Sequence, residues 1–245
     1  MSTPTEADLS ANLLLGRLTK HDRARLITHM MAFDMRSGDV IHRAGEDVVD
    51  TWFPCGAAMA SFCVEASDGK DAVEVAVIGR EGAVGGIVSN GQLPAFATAQ
   101  VRFGGRFIRI TTAALEQAKL DSITLRHWFA RYSDCLLAQL FQTAACNATH
   151  TIVQRTAKWL LAARARTGRD RFELTHAQLA LVLGVGRTFV TRTLNNFKDA
   201  GLIETTRGQI TILDEAALRG RACACTAAIE EHFDAVLSGI YPRDG

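Results

Sequence analysis

The sequence predicts an α+β chain, and three observations carry that prediction. From Ala32 to Ile110, short β-rich runs are punctuated by glycines. From Thr111 onward the apolar positions recur at helical steps, most plainly between Leu125 and Ala144. Between Leu174 and Ile203, two short apolar-periodic runs flank one glycine, Gly184, and a hairpin pattern follows them. Alternation with glycine breaks marks strands, and steps of three and four mark helices.

Residues 8–31 read as helix in two short pieces, broken near Leu18–Thr19. Strands are expected at Val48 to Phe53, Met59 to Val64, Ala72 to Ile78, Thr98 to Phe103 and Arg106 to Ile110. Glycines such as Gly45, Gly56, Gly69, Gly79, Gly91 and Gly104 separate them. Short strands at this spacing form a small antiparallel barrel, roll or sandwich.

Asp121 is the expected cap of a helix running to about Asn147. Its apolar positions include Leu125, Phe129, Tyr132, Leu136, Leu140 and Ala144, and a second stripe holds Trp128, Leu137 and Phe141. A helix apolar on two sides must be covered on two sides. The β-rich region can cover one. A second copy of the same helix is the economical cover for the other, so Leu125, Phe129, Tyr132, Leu136 and Leu140 are expected at a dimer interface. Complete burial within one chain is the other solution.

A helix from about Thr151 to Arg166 follows, then Gly168 and a linker. Thr175 suits the N-cap of a helix from His176 to about Leu183. Gly184 can take the positive φ that ends it. The next helix runs from about Arg187 to Asp199, with Val190, Leu194 and Phe197 facing inward, and Gly201 closes it. Two strands around Arg207–Gly208 complete a winged helix-turn-helix pattern. Asp214 caps a final helical region through Leu237.

The outer face of the second helix then acquires a purpose. Arg187, Thr188, Thr191 and Arg192 lie away from Val190 and Leu194, near the end that enters a major groove. Arginine pairs bidentately with guanine, and threonine offers a hydroxyl and a methyl. No carboxylate occupies the outer face of the first turns, although one would favour that end of an ordinary surface helix. Charge agrees. Residues 1–100 carry 8 Lys+Arg against 13 Asp+Glu, while residues 151–219 carry 11 against 6. Only the back of the chain is suited to a polyanion.

LTHAQLALVLGVGRTFVTRTLNNFKDAGLI and RGQITILD are also the stretches in which a known family shows. The segment from about Thr151 to Ala217 resembles the DNA-binding domain of the Crp–Fnr superfamily of bacterial transcription regulators. The resemblance implies a cyclic-nucleotide-binding-like β-roll over residues 1–120, a dimerisation helix over 121–150, a winged helix-turn-helix over 151–220 and a C-terminal helical extension over 221–245. It implies base and backbone contacts from Arg187, Thr188, Thr191 and Arg192, and phosphate contacts near Thr175 and His176, with Arg207 on the wing. A homodimer on a double-stranded inverted repeat is implied, with RNA polymerase as a further partner. Many members carry a glutamate where this chain has Thr188, so the family's usual half-site is not expected.

Cyclic-nucleotide-binding members hold ribose and phosphate with a Gly-Glu pair and an Arg-Ser or Arg-Thr pair. In the matching stretch, Gly82 to Ala99, Gly86 stands at the glutamate position, and Phe96 and Ala97 stand at the arginine and hydroxyl positions. A phosphate buried there would go unpaired, so the fold is expected without that ligand.

The six cysteines include none before Cys55, so no N-terminal iron–sulfur ligand set is expected. Cys223-x-Cys225 could bind metal or sense oxidation, but two adjacent thiols are a weak motif, and the pair is read as small core residues. No metal, cofactor or catalytic group is expected, and no membrane span or secretion signal is found. Reduced cysteines and DNA binding suit the cytoplasm. Two further readings stay open: a constitutive DNA-binding dimer with no ligand, and a β-roll enzyme with a helical accessory domain.

Overall fold

The computed structural model describes residues 2–65, 72–87 and 93–241. The expected punctuating residues Gly69 and Gly91 lie outside them. Three short helices open the chain: α1 (Glu6–Ser10), α2 (Leu13–Gly16) and α3 (Lys20–Ile27). The expected break near Leu18–Thr19 is present, with the Thr19 hydroxyl accepting from the Asp22 N–H. A second break occurs where the buried Asn12 side chain caps α2 and donates to the carbonyls of Pro54 and Gly82.

Eight strands follow: β1 (Met31–Met35), β2 (Val40–His42), β3 (Asp50–Pro54), β4 (Met59–Glu65), β5 (Ala72–Ile78), β6 (Val84–Gly85), β7 (Thr98–Phe103) and β8 (Gly105–Thr111). They pair antiparallel in two sheets, ordered β1-β8-β3-β6 and β2-β7-β4-β5. The five expected strands are present within a few residues. Of the missed strands, β2 and β6 are too brief to alternate legibly, and β1, as long as β3, buries only Ala32 and so shows no alternation. Burial alternates strictly along β7: Ala99 and Val101 pack with Ala60, Ile78 and Phe107, while Phe103 packs with Met59, Trp159 and Phe172.

α4 (Thr112–Asp121) leads into α5 (Ile123–Thr149). Asp121 therefore ends one helix, and Ser122 caps the next by accepting from the Leu125 N–H. This corrects the expected role of Asp121: Ser122 holds the extended backbone that an N-cap needs. At 27 residues, α5 is about 40 Å long at the usual helical rise.

The partner-facing assignment of α5 needs correction as well. Leu125, Phe129 and Tyr132 are 0% exposed within this single chain. They form one core with Leu9, Leu14, Phe53, Ile108 and Leu237, and the half-buried Leu136 packs against it too. The Tyr132 hydroxyl accepts from the Ala83 N–H at 2.9 Å and donates to its carbonyl. Burying each large apolar side chain contributes about 1.5–3 kcal/mol, so these positions hold the subunit's own fold. Of the five, Leu140 is the one exposed. Leu137 and Phe141, 47% and 66% exposed, lie on the outer side of the helix.

α6 (Ile152–Thr167), β9 (Arg171–Glu173), α7 (His176–Leu183), α8 (Arg187–Asp199), β10 (Ile203–Thr206) and β11 (Gln209–Ile212) form the next unit. Its sheet is ordered β10-β11-β9. Residues 160–218 supply much of its own core, including Leu160, Leu179, Val190, Leu194, Phe197 and Leu218. α9 (Glu215–Arg219) is capped by Asp214 as expected.

The last helix, α10 (Cys225–Leu237), returns to pack along α5. The extension is therefore structural. Tyr241 lies edge-on to Trp128 and donates to the Asp22 carboxylate at 2.6 Å, tying the C-terminus to α3 and α5. Burial opposes ionisation of Asp22, but hydrogen bonds from Tyr241, Ser122 and Thr19 outweigh it and hold its carboxyl below the usual range. Where α10 begins, Cys223 and Cys225 meet Cys146 and His150 of α5 and its cap.

Candidate nucleic-acid interface

Thr175 starts the interface as the sequence predicts. Its hydroxyl accepts from the Gln178 N–H, and the Gln178 side chain accepts from the Thr175 N–H at 2.8 Å. This reciprocal cap fixes the first turn of α7. Gly184 ends the helix at φ +61°, a conformation that costs other residues roughly 1–2 kcal/mol. The chain then reverses through Val185 and Gly186 into α8.

α8 is strongly two-sided. Val190, Thr193, Leu194 and Phe197 are buried against α6 and α7. Arg187, Thr188 and Arg192 are exposed. Gly186, at the N-cap, has no side chain to satisfy the first amide N–H groups. Those donors and the helix dipole suit a phosphate oxygen.

Thr191 is placed differently from its neighbours. It is half-buried, and its hydroxyl oxygen lies 3.0 Å from Nδ1 of His176. The contact joins the first residue of α7 to the second turn of α8. Partial burial and the nearby Arg187 charge hold the His176 pKa below its ordinary value, which favours the neutral ring. The Leu174 N–H donates to the Gly208 carbonyl at 2.9 Å, setting the β10–β11 turn against the start of α7. The exposed Arg207 sits on that turn, and Gly208, at φ +76°, permits its tightness. Thr175, His176 and Arg207 thus occupy one end of the unit, with Arg187 beside them.

Two exposed features were missed in the sequence. Phe189 is 54% exposed on the first turn of α8, and Asn195 is exposed one turn beyond Arg192. Phe189 is out of phase with the buried stripe of Val190, Leu194 and Phe197, which is the signal that could have found it. An apolar ring there can meet a thymine methyl, and asparagine can pair with adenine.

In the β-roll, Phe96 is 86% exposed and Ala97 is half-buried. The Gly86 carbonyl accepts from the Thr51 hydroxyl at 3.4 Å. Residues 88–92, inside the expected ligand stretch, lie outside the described residues. Among the described residues, no helix is long and apolar enough to cross a membrane.

Residues 154–221 match the Crp-like helix-turn-helix domain. No curated protein sequence matches the chain. Several solved structures share its fold. FixK2 from Bradyrhizobium japonicum superposes with a TM-score of 0.67 at 17% identity, over 80% of this chain and 98% of that one. The c-di-GMP responsive global regulator CLP of Xanthomonas campestris gives 0.65 at 14% identity, over 80% and 100%. A CRP-family transcriptional regulator from Thermus thermophilus gives 0.64 at 20% identity, over 78% and 97%. At these identities the structures establish a shared fold.

Proposed function

We propose that this chain, which carries a Crp-like helix-turn-helix domain on the fold of the Crp–Fnr superfamily, is a homodimeric, sequence-specific, DNA-binding transcription regulator. The observation that carries this reading is the split surface of α8. Its inner face is locked into a core, and its outer face offers Arg187, Thr188 and Arg192 beside an N-terminus without a side-chain cap. The two arginines read base edges while the amide N–H groups take a phosphate. Thr175, His176 and Arg207 grip the backbone alongside, which sets register but carries no sequence information. Thr191 acts by holding His176.

Dimerisation is read from the outer side of α5. Ile123, Ala130, Leu137, Phe141, Ala144 and Ala148 are all exposed and fall on one heptad seam. A seam of this period is covered by a copy of itself, and it is continuous along the helix that leads into the DNA-binding unit. Two-fold pairing presents two recognition helices to successive major grooves. The operator is then an inverted repeat with half-site centres about 34–36 Å apart.

A signal acts by shifting the population of dimer arrangements that fit the operator. Phe96 and Ala97 lack the charge and hydroxyl that a cyclic nucleotide phosphate needs. A cleft of about 270 Å³ between β5, α5, α6 and α10 favours another point of entry. It joins the β-roll to the DNA-binding unit, and its walls carry charges of both signs, including Arg80, Arg155, Lys158, Glu74, Glu81 and Glu230. Contact with RNA polymerase belongs to the same reading.

Selection of bound sequences from a random DNA pool, followed by footprinting, tests the proposal. The expected result is a dyad-symmetric site protected on one face of the duplex. Retention of no sequence above background, or a footprint without a dyad, would overturn it.

A further inference from the structure

Four side chains with metal-binding atoms converge where the long helix ends. Cys146 and His150 stand four residues apart in α5 and its cap, hence on one helix face. Cys223 and Cys225 come from the turn that opens α10. The three sulfurs and a ring nitrogen all lie within 4.8 Å of one another.

The individual spacings are more telling than the cluster. Sγ of Cys146 lies 3.7 Å from Sγ of Cys223, and Sγ of Cys225 lies 3.6 Å from Nδ1 of His150. A disulfide would need its sulfurs about 2.05 Å apart. A tetrahedral zinc ion with Zn–S near 2.3 Å and Zn–N near 2.0–2.1 Å separates two sulfurs by about 3.8 Å and a sulfur from a nitrogen by about 3.6 Å. The two observed pairs have the edge lengths of such a tetrahedron. Iron–sulfur clusters spread their ligands over several metal atoms and need wider separations than this group offers.

The surroundings fit as well. Cys146 and Cys225 are buried, while Cys223 and His150 are half-buried, which leaves an entry path. Gln142 Nε2 donates to Sγ of Cys225 at 3.1 Å, the kind of bond that orients a thiolate ligand. Three thiolates and a neutral histidine leave a zinc site with one net negative charge. The Lys158 ammonium interacts with both Cys146 and Cys223 and offsets it.

We infer that Cys146, His150, Cys223 and Cys225 form a structural zinc site that clamps the start of α10 to the α5–α6 joint. Binding releases the three thiol protons to solvent, and no oxidant or reductant is involved. In this reading Cys223-x-Cys225, expected as a pair of core residues, supplies half of a ligand set. The α5–α6 joint connects the dimer seam to the DNA-binding unit, so a bound ion would fix the angle at which the recognition helices are held. The site needs no DNA and no effector.

The test uses the full-length protein, reduced and then equilibrated with zinc and separately with cobalt(II). Elemental analysis is expected to give one zinc per chain after removal of free metal. Cobalt is expected to give the strong visible bands of a tetrahedral ion with thiolate-to-metal charge transfer. Cys223→Ala should abolish both signals, and Cys135→Ala should leave them intact if the protein remains folded. His150→Cys keeps four ligands, so it should retain the metal while shifting the cobalt bands. Wild-type protein that takes up no metal after reduction would overturn the inference. So would an iron–sulfur chromophore in protein isolated without air, or unchanged cobalt spectra in Cys223→Ala.

Discussion

The indole N–H of Trp159 donates to the Glu74 carboxylate at 3.2 Å, joining α6 of the DNA-binding unit to β5 of the β-roll. Arg102 holds the same carboxylate from within the β-roll, through Nε at 3.1 Å and Nη2 at 2.9 Å. Glu74 therefore serves two partners, both largely buried. Glu74→Ala leaves the Arg102 charge buried and unpaired, at a cost of about 3–5 kcal/mol. Trp159→Phe keeps an aromatic ring but loses one hydrogen bond, about 1 kcal/mol, and trims the buried indole, roughly 1 kcal/mol more. Urea unfolding of the two variants measures the difference. Equal losses would show that the carboxylate matters only through the indole.

Arg187→Ala and Arg192→Ala should each remove about 1–3 kcal/mol of discrimination between operator and altered sites. Arg207→Ala should weaken all sequences alike and lower the salt dependence by about one phosphate contact. Gel shifts over a salt series separate these outcomes. An Arg192→Ala protein with unchanged sequence preference would remove α8 from the major groove.

Charge on the outer side of α5 should separate subunits without unfolding them. Leu137→Glu with Phe141→Glu is expected to yield monomers of near-native helicity and greatly weakened operator binding. Phe129→Glu places a carboxylate in a position that is 0% exposed, so it should unfold the chain instead. Sedimentation and circular dichroism read the two effects. A double variant that remains dimeric would move the interface elsewhere.

Cyclic AMP and cyclic GMP should show no tight binding by titration calorimetry. Phe96, 86% exposed, can neither neutralise nor enclose a phosphate. Micromolar affinity for either nucleotide would defeat this argument.

His176 supplies a pH signature. Its folded pKa lies below the ordinary 6.5, from burial first and then from Arg187. The unfolded chain therefore binds the proton more readily. The stabilisation is present above pH 6.5 and is lost as pH falls from 6.5 toward the lowered value. His176→Gln should flatten thermal stability across that interval. An unaltered pH profile in the variant would assign the dependence to other groups.

The sequence by itself determined the local elements whose signals are local. Thr175, Gly184 and Gly201 bracket two helices, Val190, Leu194 and Phe197 mark the inner face of the second, and alternation marks β5 and β7. Each of these depends on residues a few positions apart, so the chain carries it without reference to the fold. Tertiary structure decided what each apolar face would meet. Leu125, Phe129 and Leu137 share one periodic pattern, and the pattern holds no trace of which side α10 and the first helices would cover. Coverage by segments about a hundred residues distant sent Phe129 to the core and left Phe141 outside. The same return of α10 brought Cys223 and Cys225 to Cys146 and His150. Ligand geometry is a property of distances in space, and chain spacing conveys it only when all the ligands lie close together in sequence.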